Sequence, residues 1–289
     1  MLIWHDIRDP QDPELDKLAT QYNLHPLHIE DCRHGNQNAK VEEQGDYIFV
    51  VLKVIELTGS DDLHIGDTNL FVSKDYLITV EESGCKSVAT FMDRIKQAGN
   101  NQRPDQVMHR IMDGVVDSYL PILDRFNDEI DVIEDEVLDN PNPAMLQRIF
   151  TLKRKLIELR RALTNMRDVA GHLQRTESEL IARDLAPFLR DVYDHVARNL
   201  DMIETQRDLV NGSMDIYLSS VANRTNQVMK VLTVMGTVAI PALAISGFYG
   251  MNIKNLPWAE SQHAVWYVSG MIVGTSALVL AVLKKFGWF

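Results

Sequence analysis

Cysteine is nearly absent from this 289-residue chain: Cys32 and Cys85 are the only two, without a CxxC pair or an even-numbered framework. That excludes a disulfide-stapled fold and points to free thiols in a reducing compartment. Basic charge is also the minority, with 29 Lys and Arg against 41 acids and a formal net charge of -12, which argues against a nucleic-acid surface. The start, MLIWHDIRDPQD, has neither the basic region nor the apolar core of a signal peptide, so the first domain is expected to stay in the cytosol. Nine histidines are present, but no HExxH and no His/Cys cluster with zinc spacing. No Gly-rich phosphate loop, GxSxG or catalytic-triad pattern appears either, so an enzyme reading has nothing to rest on.

What the chain does have is two long charge-free runs near its end. Val231 to Tyr249 holds no charged residue, about nineteen positions, long enough to cross a bilayer as one helix. It leads into Gly250-Met251-Asn252, a short polar loop and a second uncharged run from Ala264 to Leu283. Arg224 and Lys230 precede the first span and Lys284-Lys285 follow the second, while Lys254 in the loop is offset by Glu260. The bias of basic residues therefore puts both termini in the cytosol and the loop outside. Trp258, Trp266, Tyr267 and Trp288 lie where interfacial aromatics are expected.

The upstream chain is a mixture followed by helices. Leu2-Ile3-Trp4 reads as a strand, and Asp12-Pro13-Glu14 as a helix start. Tyr47 to Leu57 is rich in β-branched and aromatic residues and is entered through Gly45-Asp46. Leu70–Val72 and Tyr76–Val80 bracket Lys74-Asp75 as a hairpin would, and Ser87 to Gln97 is helical again. Residues 1–98 are thus expected to form a cytosolic α/β domain.

From Asp105 the spacing is helical. Val107, Ile111, Val115, Tyr119, Ile122, Phe126, Ile130, Ile133 and Val137 belong to one arm, ended by Asp139-Asn140-Pro141-Asn142-Pro143. Asn142 and Pro143 open a second arm carrying Leu146, Ile149, Leu156 and Leu163 with the basic residues Lys153, Arg154, Lys155, Arg160 and Arg161. Thr176 and Glu179 have capping-box spacing, which predicts a short linking helix and completes a helical hairpin region over 99–183. Leu189, Val196, Ile203, Val210 and Tyr217 then recur seven apart, and only Gly212, Gly236 and Pro241 interrupt the run from Phe188 to Tyr249. A continuous helix there, about sixty residues at roughly 1.5 Å each, would join a stalk over 184–230 to the first span over 231–249. The loop over 250–263, the second span over 264–283 and a basic tail over 284–289 complete the organisation.

Gly247, Gly250 and Asn252 place small residues and a neutral amide at the outer end of the first span. A tight turn between spans is the ordinary explanation; a ring of neutral oxygens at a pore mouth is the functional one. Mg²⁺ dehydrates reluctantly, so a site for it needs oxygens that hold an intact water shell weakly enough for release. Asp194, Asp201, Asp208 and Asp215 are seven apart, with Asp184 and Asp191 as a parallel pair, and most of these fit a solvated stalk face. The same holds for the eight carboxylates between Asp124 and Asp139, with Arg125 their one basic neighbour. His25 and His28 beside Glu30 and Asp31 suggest a metal site, against the commoner reading of a short helix packed in the first domain.

The stretches that carry a resemblance are YGMN after the first span, RDVYDH at Arg190–His195, and MDIYLSSVANRTNQVMKVLT at Met214–Thr233. Ile240-Pro241, EIDVIEDEVL at Glu129–Leu138, HPLHIED at His25–Asp31 and KVEE at Lys40–Glu43 extend it over most of the chain. Together they resemble the CorA family of magnesium transporters. The resemblance implies a funnel-shaped homopentamer in the cytoplasmic (inner) membrane, its long helices lining an axial path for Mg²⁺ influx, with Co²⁺ and Ni²⁺ as secondary ions. Gly250, Met251 and Asn252 would form the selectivity ring. Asp215, Asn226, Met229, Leu232, Gly236, Ile240 and Gly247 would line the conduit, with Met229, Leu232 and Ile240 as constrictions that gate by dewetting. Asp191 would bind regulatory Mg²⁺, with an acid of the first domain as its partner and Asp93 the nearest candidate. The loop departs from the family's Met-Pro-Glu-Leu by reading Leu256-Pro257-Trp258-Ala259, which leaves the acid two residues late at Glu260. A Zn²⁺ transporter of the same architecture is the first alternative, and a non-conducting membrane-anchored sensor or scaffold the second. Met251 in the tripeptide favours Mg²⁺ over Zn²⁺.

Overall fold

The computed structural model describes all residues except 1, 36, 60–61, 82–85, 98–101, 140, 253–255, 259–260 and 289. Cys85, Lys254, Ala259 and Glu260 therefore lie outside the described residues. By internal packing the chain divides into 1–215 and 216–289.

The first unit begins with a five-stranded sheet. The strands are β1 (Ile3–Ile7), β2 (Lys40–Gln44), β3 (Tyr47–Thr58), β4 (Asp62–Val72) and β5 (Tyr76–Glu81). Their order is β1-β5-β4-β3-β2, with β1 parallel to β5 and the other pairs antiparallel. β3 occupies the expected span because its β-branched and aromatic side chains fill both faces of the sheet. Residues Tyr47 to Ile55 are all buried. The hairpin around Lys74-Asp75 is present, closed by the Ser73 N–H donating to the Tyr76 carbonyl at 3.0 Å.

One face of the sheet is covered by α1 (Glu14–Gln21) and α2 (Pro26–His34). Leu15, Leu18, Leu24 and Ile29 pack there with Phe49, Val51, Phe71 and Ile78. Asp12 Oδ1 accepts the Glu14 N–H at 2.8 Å, satisfying one of the free donors at the start of α1. Cys32 is sealed into this core, and burial pushes its thiol far above the ordinary range, so it is an inert thiol. His28 is also a core residue: Nδ1 faces the Tyr47 hydroxyl and Nε2 faces Glu42 Oε2, each at 2.9 Å. Asp31 is held by Lys40 at 2.8 Å. The short-helix reading of His25–Asp31 is the one the side chains support.

The other face packs against α4 (Pro104–Asp117) and α6 (Pro143–Arg175), and α3 (Lys86–Gln97) packs on α4. Between α4 and α6 lies α5 (Leu120–Asp139). The expected single arm from Asp105 is thus two helices. Pro121 is the cause: it offers no N–H to continue α4, and its ring would meet the carbonyl four residues back. A turn at Ser118-Tyr119 takes up the break, with the Tyr119 N–H donating to the Val116 carbonyl at 3.2 Å. The second arm starts as expected, Asn142 Oδ1 accepting the Met145 N–H at 3.1 Å. Arg148 near the start of α6 pairs with Glu136 near the end of α5 at 2.9 Å, while Lys155 lies over the Phe126 ring. Those contacts run in opposite directions along the two helices, so the arms form an antiparallel hairpin.

The expected linking helix at Thr176 is a correction. Thr176 is the residue after α6, and only a 3-10 turn at Arg183–Leu185 follows. The Glu179 carboxylate goes to Lys74 at 2.8 Å instead of to a backbone N–H, so no capping box closes.

α7 (Ala186–Tyr249) is one helix of 64 residues. The seven-residue apolar series is its buried seam: Leu189, Val196, Ile203, Val210 and Tyr217 are all buried. In the second unit, the rest of α7 and α8 (Ala264–Lys285) are long and apolar enough to cross a membrane. Pro241 sits inside α7 without ending it.

Candidate metal centre and span helices

The aspartates of α7 separate into two kinds. Asp194, Asp201, Asp208 and Asp215 are exposed, as a solvated stalk face requires. Asp191 differs because α4 brings two more acids to it. Asp113 and Asp117 stand one turn apart on α4, and Asp191 and His195 one turn apart on α7, so each helix presents a pair on one face. Asp113, Asp191 and His195 each offer one ligand atom, all within 4.8 Å of one another. His195 Nδ1 lies 3.7 Å from Asp117 Oδ1 and its Nε2 lies 3.8 Å from Asp191 Oδ2.

Burial, with the Asp117 charge next, raises the Asp113 carboxyl above its ordinary value, opposed by His109 and His195. Such a cluster gains from a cation that offsets the carboxylate repulsion. Ligands around one Mg²⁺ at about 2.1 Å stand at most about 4.2 Å apart, so these three need a small side-chain rotation or an intervening water. Two carboxylates suit a hard cation; the imidazole would also suit a transition metal.

Asp93 sits elsewhere. It lies on α3 and its carboxylate is taken by Arg8, which also reaches Asp6 at 3.1 Å. Asp113, Asp117 and His195 were not singled out in the sequence, although the two pairs at four-residue spacing were there to find.

The residues assigned to the conduit follow the span part of α7. Met229, Leu232 and Ile240 are 55%, 63% and 62% exposed in the single chain, and Asn226 is exposed as well. A Cβ added at Gly236 or Gly247 would meet nothing within 4 Å, so neither glycine is required by packing within this chain. At the end of α7 the Gly250 N–H donates to the Ser246 carbonyl at 2.9 Å and the Met251 N–H to Phe248 at 3.3 Å. The helix thus closes as a turn and presents Met251 and Asn252 to the surroundings. The Tyr249 hydroxyl donates to the Pro257 carbonyl at 3.3 Å, tying the loop to the helix end. Side chains this apolar and this exposed over two helices need a lipid or protein cover.

An α/β domain, a helical hairpin and two membrane-length apolar helices, the first continuous with a helix that carries a cation-type cluster, define a membrane protein with a large extramembrane domain. The class narrows on comparison. The model of the family described as CorA-like Mg²⁺ transporter protein matches residues 1–285, and the chain belongs to that family. A cobalt/magnesium transport protein CorA from Thermotoga maritima is 36% identical over 281 residues, covering 95% of this chain and 79% of the relative. The solved CorA magnesium transporter from Methanocaldococcus jannaschii superposes with a TM-score of 0.89 at 25% identity, covering 100% of this chain and 92% of that one. The ZntB cytoplasmic domain from Vibrio parahaemolyticus shares the fold of the first unit, with a TM-score of 0.62 at 13% identity over 77% of this chain and 90% of that one.

Proposed function

We propose that the chain is one subunit of a homopentameric Mg²⁺ conduit in the cytoplasmic membrane, admitting Mg²⁺ down its electrochemical gradient and closed by cytosolic Mg²⁺. Both termini lie in the cytosol, as the basic residues at Arg224, Lys230, Lys284 and Lys285 favour. The observation that carries the reading is α7: one helix holds Asp191 in a ligand cluster near its start and ends at Gly250-Met251-Asn252. Its relatives named as cobalt/magnesium and magnesium transport proteins support the ion, with Co²⁺ as a second substrate.

One helix encloses nothing, so a conduit needs several copies of the exposed stripe. Asn226, Met229, Leu232, Gly236, Ile240 and Gly247 recur at helical steps and supply it, with Asp215 at its cytosolic approach. Neutral oxygens at Gly250, Met251 and Asn252 hold the ion's water shell rather than stripping it, which suits an ion that dehydrates reluctantly. The apolar rings at Met229, Leu232 and Ile240 close by excluding water.

Regulation is assigned to Asp191 with Asp113 and His195, and to Asp93 where a neighbouring subunit brings it near. Bound Mg²⁺ offsets repulsion among these carboxylates and holds the closed arrangement; as cytosolic Mg²⁺ falls the sites empty and repulsion returns. The test is flux in proteoliposomes with separate Mg²⁺ and Zn²⁺ indicators, repeated with Asn252→Ala. Mg²⁺ flux that Asn252→Ala abolishes is expected. Zn²⁺ flux with little Mg²⁺ flux would promote the zinc reading, and flux of neither ion would leave the anchored sensor or scaffold.

A further inference from the structure

At one end of the two span helices the second unit has a cavity of about 370 Å³. α7 supplies Asn226, Met229, Lys230 and Thr233 to its wall, and the residues after α8 supply Phe286 and Trp288. The wall is amphipathic in a particular way. Lys230 is the last charge before the uncharged run of the first span, and Lys284-Lys285 are the first charges after that of the second. In the sequence the only acidic side chain between Ile216 and Phe289 is Glu260, four residues before the first residue of α8.

The Lys230 ammonium reaches the Gly287 carbonyl at 3.4 Å, a long and weak contact. Among the described residues no carboxylate forms an ion pair with Lys230, Lys284 or Lys285. The Thr233 hydroxyl already donates to the Met229 carbonyl at 2.7 Å. The apolar surface runs on from the cavity along the outside of α8, where Phe286, Val282 and Leu278 are exposed.

We propose that this cavity is a docking site for the phosphate of an anionic phospholipid headgroup in the cytosolic leaflet. Lys230 meets the phosphate, and Lys284 and Lys285 set the local positive potential. Trp288 and Phe286 lie at headgroup depth, where an amphipathic ring is stable, and the acyl chains follow the exposed side of α8. The choice of a lipid over a free phosphate rests on that last feature: a soluble anion would leave the adjoining apolar surface uncovered. The assignment rests on the membrane placement proposed above but not on which ion crosses. It shares Asn226 and Met229 with the edge of the conduit stripe, whereas Lys230 and Thr233 lie beside that stripe.

Trp288 provides the reporter. In the full chain carrying Trp4→Phe, Trp258→Phe and Trp266→Phe, it is the one tryptophan left. The protein is placed in nanodiscs of phosphatidylcholine doped with brominated phosphatidylglycerol, and in phosphatidylglycerol doped with brominated phosphatidylcholine. Quenching of Trp288 then gives the relative association of the two lipids. About a fivefold preference for phosphatidylglycerol is expected, with Lys230→Gln bringing it close to one. Rising salt should erode the preference in this single-tryptophan protein, a readout that does not depend on Lys230→Gln assembling. Equal quenching by both lipids overturns the proposal, as does a preference that survives both Lys230→Gln and high salt. Absence of quenching by either lipid, the result if a second copy of the chain fills the cavity, also overturns it. Loss of the preference on adding millimolar inorganic phosphate at constant ionic strength would assign the site to a soluble anion and overturn the lipid assignment. None of these readings requires ion flux, so a failed transport assay leaves the result interpretable.

Discussion

His195 Nε2 lies 3.8 Å from Asp191 one turn earlier on α7, while its other ring nitrogen lies 3.7 Å from Asp117 on α4. The imidazole therefore spans two acids from different helices, with Asp113 completing the cluster. If this is where Mg²⁺ acts, Asp191→Asn should lower the apparent Mg²⁺ affinity of the closed state by about tenfold or more, because a first-contact ligand is lost. Mg²⁺-dependent protection of the full chain against protease measures this directly. The same protection curve before and after the substitution would remove Asp191 from the regulatory role.

Glu81 provides a second test, on stability. Its side chain is 3% exposed at the end of β5, opposite Thr68 of β4, and its Oε1 has no hydrogen-bond partner in the protein. Burial, reinforced by the nearby Asp6 charge, pushes its carboxyl up to about 7, against the pull of Arg8 and Lys96. A folded-state value above the unfolded one means that the folded chain holds the proton more tightly. Stability is then lost as pH rises from the ordinary carboxylate range through about 7, and regained as pH falls. Glu81→Gln keeps the shape and removes the charge. It should raise stability at pH 8 by on the order of 2–3 kcal/mol and change little at pH 5. Thermal unfolding of the full chain in detergent at the two pH values separates these effects; an equal shift at both would show that the charge is not the cause.

Gly114 faces Phe91 where α3 packs on α4. A Cβ built at Gly114 would stand 2.3 Å from the Phe91 ring, far inside contact distance. Gly114→Ala must displace the half-buried Phe91 ring, which lines a cavity with Val88 and Val115. The intrinsic helix preference for Ala over Gly, about 1 kcal/mol, works in the opposite direction. Overpacking of this kind costs about 1–3 kcal/mol, so a net loss of stability is expected. Pairing it with Phe91→Leu should recover most of the loss, and urea midpoints of the two variants decide it.

Legibility in the sequence followed the strength of the local pattern. The seven-residue series from Leu189 to Tyr217 and the apolar run in β3 were plain because burial of one seam, or of both faces, leaves little freedom of residue type. The first half of β4 was not read as a strand. His64, Asp67, Thr68 and Asn69 are polar, and Asp67, Thr68 and Asn69 are buried regardless, because partners elsewhere in the fold create their environment. Pro121 marked the end of α4, but the apolar spacing runs straight through it and masks the break. At the site, Asp191 became prominent only through resemblance to a family. Asp113 belongs to a distant helix, and no spacing along a chain predicts which faces of two helices will meet. The expected partner Asp93 was tied up by Arg8, an ion pair formed between the end of the first strand and α3.

Lys53 and Asp67 test how that polar half of β4 is tolerated. They face each other across β3 and β4, with side chains 7% and 1% exposed, and form a buried ion pair. Asp67 uses its second oxygen as well, Oδ2 accepting the Gln37 N–H at 2.8 Å, so its carboxylate is satisfied on both sides. Removing one partner leaves the other charge stranded in a low-dielectric site, at a cost of about 3–5 kcal/mol. Asp67→Leu should therefore be severely destabilising, and Lys53→Met nearly as much. The double variant Lys53→Met with Asp67→Leu buries no charge, and the desolvation cost of both ions disappears. It should be clearly more stable than either single variant, short of the parent by whatever the freed Gln37 N–H loses. Denaturant midpoints of the four proteins form a complete cycle. Additive losses in the double variant would mean that the two side chains are not coupled, contrary to the geometry of the pair.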